Sequence, residues 1–239
     1  MDAEAYVLEF LALGDRLRAH ENVALTNFYV GDGAPTEALE EAEVALGRPL
    51  PRAVRALYAA ADGLQLRYIL RDHPDFEPGR YDRNEGAFEP CYPGEEELLV
   101  SACVNVVPLG VLVDPGACDV PFRGWTDAPV HILEETYDAA DFFDRLFLFD
   151  YFHEVLDAAL FLGRNDRAFV LLSSGHHALH PSSRPIDVES YLRFVLHRAG
   201  DILDREALAQ RPPQSEPFRK TSWSRFDDHP LTTPPDRRD

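Results

Sequence analysis

The stretch LEEAEVALGRPLPRAVRALYAAADGLQLRY, Leu39 to Tyr68, constrains the fold more than any other part of the chain. Pro35 and Thr36 open a helix whose first turns carry Glu37, Glu40 and Glu41, which suits the positive end of a helix dipole. Gly47 closes it, because glycine adopts the left-handed C-cap conformation without steric cost. Pro51 begins a second helix at the position where a missing N–H goes unnoticed. Val54, Leu57, Tyr58 and Ala61 then recur at i, i+3, i+4 and i+7, one apolar face. Asp62-Gly63 ends that helix. Leu64, Leu66, Tyr68 and Leu70 alternate with polar Gln65 and Arg67, Ile69 excepted, which predicts a half-buried strand. Nothing in this unit is an evident nucleophile, metal ligand or phosphate cradle. It reads as scaffold, with function placed on surfaces built around it.

Of the 239 residues 45% are hydrophobic and 11% aromatic, enough for a sizeable core. A chain of this length buries roughly 70% of its unfolded surface. The formal net charge of -19 repels nucleic acid and anionic lipid and attracts a basic protein surface. The expected partner is therefore a protein, with no nucleic acid and no membrane. Three cysteines, Cys91, Cys103 and Cys118, are an odd number without C-x-x-C spacing, so neither a disulfide framework nor a zinc site is indicated. The start, MDAEAYVLEF, is acidic where a signal peptide is basic, and no run of about 18 uncharged apolar residues exists to span a membrane. The expected location is cytoplasmic.

Elsewhere the periodicities are shorter. Val7, Phe10, Leu11, Leu13 and Leu17 predict a helix from about Ala3 to His20, and GDGA at 31–34 is a break. Arg71 to Glu97 is interrupted by four prolines and three glycines and reads as a long loop. It carries nine acidic residues against three arginines. Leu98 to Val113 predicts one or two strands broken at Pro108, and Val130 to Glu135 another. Leu146 to Ser174 predicts two or three buried strands, with a hairpin turn at Gly163 to Asp166. Glu134 to Asp157 is a second acidic stretch, with eight acidic residues and one arginine. Asp187 is a helix N-cap with Ser190 facing back toward it. Val188, Tyr191, Leu192, Val195, Leu196 and Ala199 then form an apolar stripe that Gly200 stops or kinks, with a short helical extension to about Gln210. Leu57, Tyr58, Leu192 and Val195 are expected in the core. From Arg211 the chain is a proline-rich tail of six basic and five acidic residues, expected to be dispensable for folding, with Trp223 and Phe226 favouring partial docking.

The catalytic motifs fail one by one. HEVLD at 153–157 lacks the second histidine of a zinc-binding H-E-x-x-H helix. On a strand His153 and Asp157 would stand about 13 Å apart, too far to share a metal. His176, His177 and His180 could bind a metal only if the backbone turned suitably. There is no nucleophile elbow for Ser173 or Ser174, no P-loop and no dinucleotide fingerprint. The expectation is no enzyme, no catalytic residue, no metal and no cofactor.

The opening unit resembles the start of a SUKH domain. The match lies in Leu39, Leu46 and Gly47, in Leu50-Pro51, in Leu57-Tyr58, and in Asp62-Gly63-Leu64, where Asp62 stands for a common asparagine. VNVVPLGVL from Val104 is similar to the family's central strand, and the strands around Gly163 with PIDVESYLRFVL are similar to its ending. The resemblance spans about Pro35 to Ala199. It implies a single α+β domain with a mixed or antiparallel sheet packed by helices, without shared catalytic residues. The organisation expected is an N-terminal helical extension over 1–34, a SUKH-like domain over 35–210 and a tail over 211–239.

The superfamily includes a fungal cell-wall-synthesis regulator, the bacterial Syd protein and many immunity proteins. The resemblance thus implies an immunity protein that neutralises a toxin with a basic surface. The alternatives are a housekeeping regulator of the same fold and a metal-dependent enzyme using His176, His177 and His180. Binding is expected through the long loop, at Asp72, Asp75, Glu77, Tyr81, Asp82, Glu85, Phe88, Glu89, Tyr92, Glu95, Glu96 and Glu97. Acidic side chains there mix with aromatic anchors on a rigid scaffold.

Overall fold

The computed structural model describes residues 2–74, 76–79, 84–88, 102–114, 129–151, 157–172, 185–200 and 203. The elements begin with helix α1 (Ala3–Ala19), strand β1 (Val23–Val30), helices α2 (Thr36–Leu46) and α3 (Arg52–Ala60), and strand β2 (Leu64–Leu70). Strands β3 (Asn84–Glu85) and β4 (Ala102–Val106), helix α4 (Leu109–Val113), strands β5 (Val130–Ile132) and β6 (Glu135–Tyr137), and helix α5 (Ala139–Phe143) follow. The last are β7 (Leu146–Tyr151), β8 (Asp157–Leu162), β9 (Ala168–Leu172), β10 (Ile186–Asp187) and α6 (Val188–Gly200). Eight strands form one sheet in the order β10-β9-β8-β7-β4-β2-β1-β3, and β5 pairs with β6 separately. Every pairing among these strands is antiparallel except β1 with β3. The architecture is α+β with a mostly antiparallel sheet, as the resemblance implied.

The opening unit folds as its residues dictate. Gly47 takes φ 64° as the C-cap of α2, with its N–H to Val44 O and the Arg48 N–H to Glu43 O, both at 3.1 Å. The Glu43 carboxylate then holds the short connection to α3: it accepts from the Leu50 N–H at 3.1 Å and from Arg55 at 2.7 Å. Pro51 is the N-cap of α3 and offers no side-chain hydrogen bond. The cap comes from elsewhere. Asp166, in the turn between β8 and β9, accepts the Arg52 N–H at 2.8 Å. That turn has Asn165 and Asp166 at φ 56° and 61°, with the Arg167 N–H to Arg164 O at 3.3 Å, the primed turn suited to a twisted hairpin. Asp166→Ala is expected to lower stability by about 1 kcal/mol, as for other lost N-caps. Chemical denaturation would measure it; an unchanged midpoint would refute the capping role.

Gly63 needs to be glycine twice over. Its φ is 91°, and a Cβ there would stand 3.0 Å from Pro108 Cγ. The neighbouring Asp62 carboxylate accepts the Leu109 N–H at 2.6 Å. It thereby caps α4, and the residues after Pro108 form a helical turn in place of the second of the one or two strands expected.

One core joins α1, α2, α3, α4 and α6 to the sheet, and Leu57, Tyr58, Leu192 and Val195 are all buried in it. Alternate residues of β8 face opposite ways: Ala158, Leu160 and Leu162 point into this core, Ala159 and Phe161 into a second one. The second core also holds Leu146 and Leu171, with Ile132, Tyr137 and Phe142 of the β5–β6 hairpin and α5.

Three further expectations change. The segment 1–34 carries a strand as well as the expected helix; β1 pairs with β2 along its length, and α1 and β1 share the main core. The strand β2, which lies between β1 and β4 in the sheet, is buried on both faces, Gln65 and Arg67 included. The long loop contains the two-residue strand β3. The extension toward Gln210 and the tail from Arg211 lie outside the described residues, Leu203 apart.

Candidate protein-binding surface

The loop begins as a hook around the first residues of β1. The Arg71 N–H donates to Asn22 O at 2.9 Å, its Nε to Val23 O at 3.1 Å, and the Asp72 N–H to Asn22 Oδ1 at 2.9 Å. The Arg71 guanidinium lies 5.9 Å from the Phe76 ring centre. The chain then returns along the outer edge of β1, where Asn84 and Glu85 pair in parallel with Asn27 and Phe28. Phe88 is half-buried, packs on the main core and meets the Tyr29 ring edge-on at 6.0 Å. Tyr29 in turn donates to Asp62 O at 3.4 Å. Burial first, then the Asp62 and Asp32 charges, raise its phenol above the usual range.

The acidic segment is thus fastened to the sheet at both ends of its described part. Asp72 and Glu77 are exposed. Glu85 sits on β3, and Phe88 serves as a fastener. The other expected binding residues, Asp75, Tyr81, Asp82, Glu89, Tyr92, Glu95, Glu96 and Glu97, lie outside the described residues.

The second acidic stretch is less acidic in space than in sequence. Asp141 pairs with Arg145 at 2.7 Å and with Arg164 at 3.0 Å, and Glu135 with Arg167 at 3.6 Å. Burial opposes ionisation of Asp141, yet the bonds from Arg145 and Arg164 outweigh it and hold the carboxyl below its ordinary value. The β8–β9 turn brings Arg164 and Arg167 here from beyond the stretch, and Asp150 points into the core. By contrast α2 contains no basic residue, and Asp32, Glu37, Glu40 and Glu41 are exposed.

The interior holds a polar set that the sequence reading passed over. Gln65 Nε2 donates to Asn105 Oδ1 at 2.6 Å, Arg67 Nε approaches the same oxygen at 3.4 Å, and Asn27 sits opposite Arg67 in register. The alternation of Gln65 and Arg67 was the available signal. On the helix-covered side, buried Asp150 accepts the Asn105 N–H at 3.0 Å and the Tyr191 O–H at 2.9 Å. Burial pushes its carboxyl up to about 6 against the opposing pull of those two bonds. Tyr6 donates to Leu192 O at 3.2 Å and Tyr58 to Val107 O at 3.0 Å, and burial raises both phenols far above their ordinary value. These bonds tie α1 to α6, α3 to the end of β4, and α6 to β7. Asp150 is thus held by one N–H and one phenol.

Among the described residues no three histidine, cysteine or acidic side chains gather to hold a metal, and no helix is long and apolar enough to cross a membrane. His153, His176, His177 and His180 lie outside the described residues. No protein-family model, curated protein or solved structure matches this chain.

Proposed function

We propose that this chain is a non-catalytic, cytoplasmic protein-binding module of the SUKH type, an immunity protein that neutralises a toxin with a basic surface. The observation that carries the reading is the acidic segment from Asp72 onward, tied to strand β1 by the Asn22–Val23 hook, by β3 and by Phe88. A binding loop held by a rigid sheet loses less entropy on association than a free one. Exposed Asp72 and Glu77 on an edge, within a chain of net charge -19, favour fast electrostatic capture of a basic groove. The fit with the α+β class, and the resemblance of Leu39, Leu46-Gly47, Leu50-Pro51, Leu57-Tyr58 and Asp62-Gly63-Leu64, support the same reading.

The test is co-expression with a toxin encoded beside this chain, using Asp72→Lys, Glu77→Lys and Glu85→Lys together. Folding is expected to persist, protection to fail, and the association rate at low salt to fall by about tenfold or more with a weaker salt dependence. Full protection at an unchanged rate would remove the interface from this edge.

A further inference from the structure

The outward face of α1 carries exposed apolar side chains. Leu8 is 66% exposed and Leu11 38% exposed, and with exposed Ala12 they form one strip at i, i+3 and i+4. Single exposed leucines are ordinary, whereas a contiguous strip on an otherwise well-packed helix marks a contact surface. Asp2, Glu4 and Glu9 are exposed around its N-terminal half. The opposite face of the same helix is fully used: Tyr6, Phe10, Leu13 and Leu17 are buried in the main core.

The chain's own C-terminal part starts beside this helix. α1 and α6 run alongside each other, with the Tyr6 hydroxyl on Leu192 O at 3.2 Å and Gly200 against Leu13, where an added Cβ would be 3.3 Å from Leu13 Cδ1. Leu203 packs on the same core. Leu11 and Leu8 lie about 3 and about 7.5 Å along the α1 axis from Leu13. Fourteen residues separate Leu203 from Phe218. Extended, they reach about 45 Å, far more than the path around a helix roughly 10–12 Å wide. The segment they lead to is PFRKTSWSRF, residues 217–226. It holds Phe218, Trp223 and Phe226 with Arg219, Lys220 and Arg225, and no acidic residue. Its chemistry is the complement of an acidic-rimmed leucine strip, and tethering makes even a weak contact intramolecular.

We propose that segment 217–226 docks on the Leu8–Leu11 face of α1, with Trp223 seated on the leucines and the three basic side chains toward Asp2, Glu4 and Glu9. The test uses the full chain carrying Trp125→Phe, which leaves Trp223 as its one tryptophan. Acrylamide quenching of Trp223 is expected to be weak. It should rise severalfold when Leu8→Asp and Leu11→Asp are added, exposed positions whose exchange leaves the core intact. A joint exchange of Arg219, Lys220 and Arg225 to Glu, which touches no residue of the folded core, should raise it likewise. Quenching that is already solvent-like in the parent, or unchanged in either set of variants, overturns the proposal. So does a parent that sediments as a dimer and becomes monomeric with Leu8→Asp and Leu11→Asp, which would assign the face to a second copy.

Discussion

Asp150→Asn should flatten the pH dependence of stability and leave the variant more stable than the parent at neutral and alkaline pH. The carboxyl is buried, and its value in the fold is about 6 against an ordinary 3.8. A raised carboxyl means that the folded state binds the proton more tightly. Its contribution is therefore fully present below about pH 4 and is lost as pH rises through about 6. The gap of about two pK units corresponds to about 3 kcal/mol. The groups facing Asp150 are the Tyr191 phenol on α6, the Asn105 N–H on β4, and more distantly Tyr6 on α1 and Tyr58 on α3. Asn105 carries no charge and burial keeps the Tyr6 and Tyr58 phenols protonated, so the difference between the two proteins belongs to Asp150. Urea unfolding of both proteins from about pH 4 to about pH 8 reads it directly. Parallel curves would show that the carboxylate is not desolvated.

Leu57→Ala should lower stability by about 2–5 kcal/mol, a transfer loss plus a cavity that the surroundings only partly fill. Leu57 is 0% exposed, on the face of α3 it shares with Val54 and Tyr58. The collapse that would soften the loss is resisted nearby: Tyr58 is held to Val107 O at 3.0 Å, and Glu43 pins the approach to α3. Denaturant midpoints with an unchanged slope would confirm a stability effect. A loss below about 1 kcal/mol would mean that the site is loosely packed.

The two substitutions also mark how far the chain was legible. Leu57 could be placed in the core from its spacing alone, because a helical face repeats every 3.6 residues whatever lies against it. Asp150 could not, since its partners come from α6 and β4, 41 and 45 residues away. β1 went unread for a local reason. Its register shifts between Leu25 and Asn27, so the inward positions change phase from Val23 and Leu25 to Phe28 and Val30. A period-two pattern interrupted in this way has no continuous signal. The residues after Pro108 looked like strand because they are valine-rich. The Asp62 carboxylate at 2.6 Å from the Leu109 N–H made them a helical turn, a tertiary contact overriding propensity.

The candidate surface divides the same way. The acidic character of the 71–97 segment is plain in its composition. Its attachment to β1 is not, because a two-residue strand carries no periodicity, and the edge it joins exists only once the sheet has formed. The stretch from Glu134 to Asp157 showed the converse, its charge count overstating its acidity until Arg164 and Arg167 arrived across the β8–β9 turn.

What the sequence by itself determined is the set of local elements whose rules act within a few residues. These are the α2–α3 pair with its Gly47 stop, the φ 91° turn at Gly63, the Asn165-Asp166 hairpin and the Asp187 cap, where the Ser190 N–H finds Asp187 Oδ1 at 2.9 Å. What only the tertiary structure decided is which polar groups are buried and which charges are neutralised. Burial and ion pairing depend on strands and turns brought together from distant parts of the chain, and no local pattern encodes that distance.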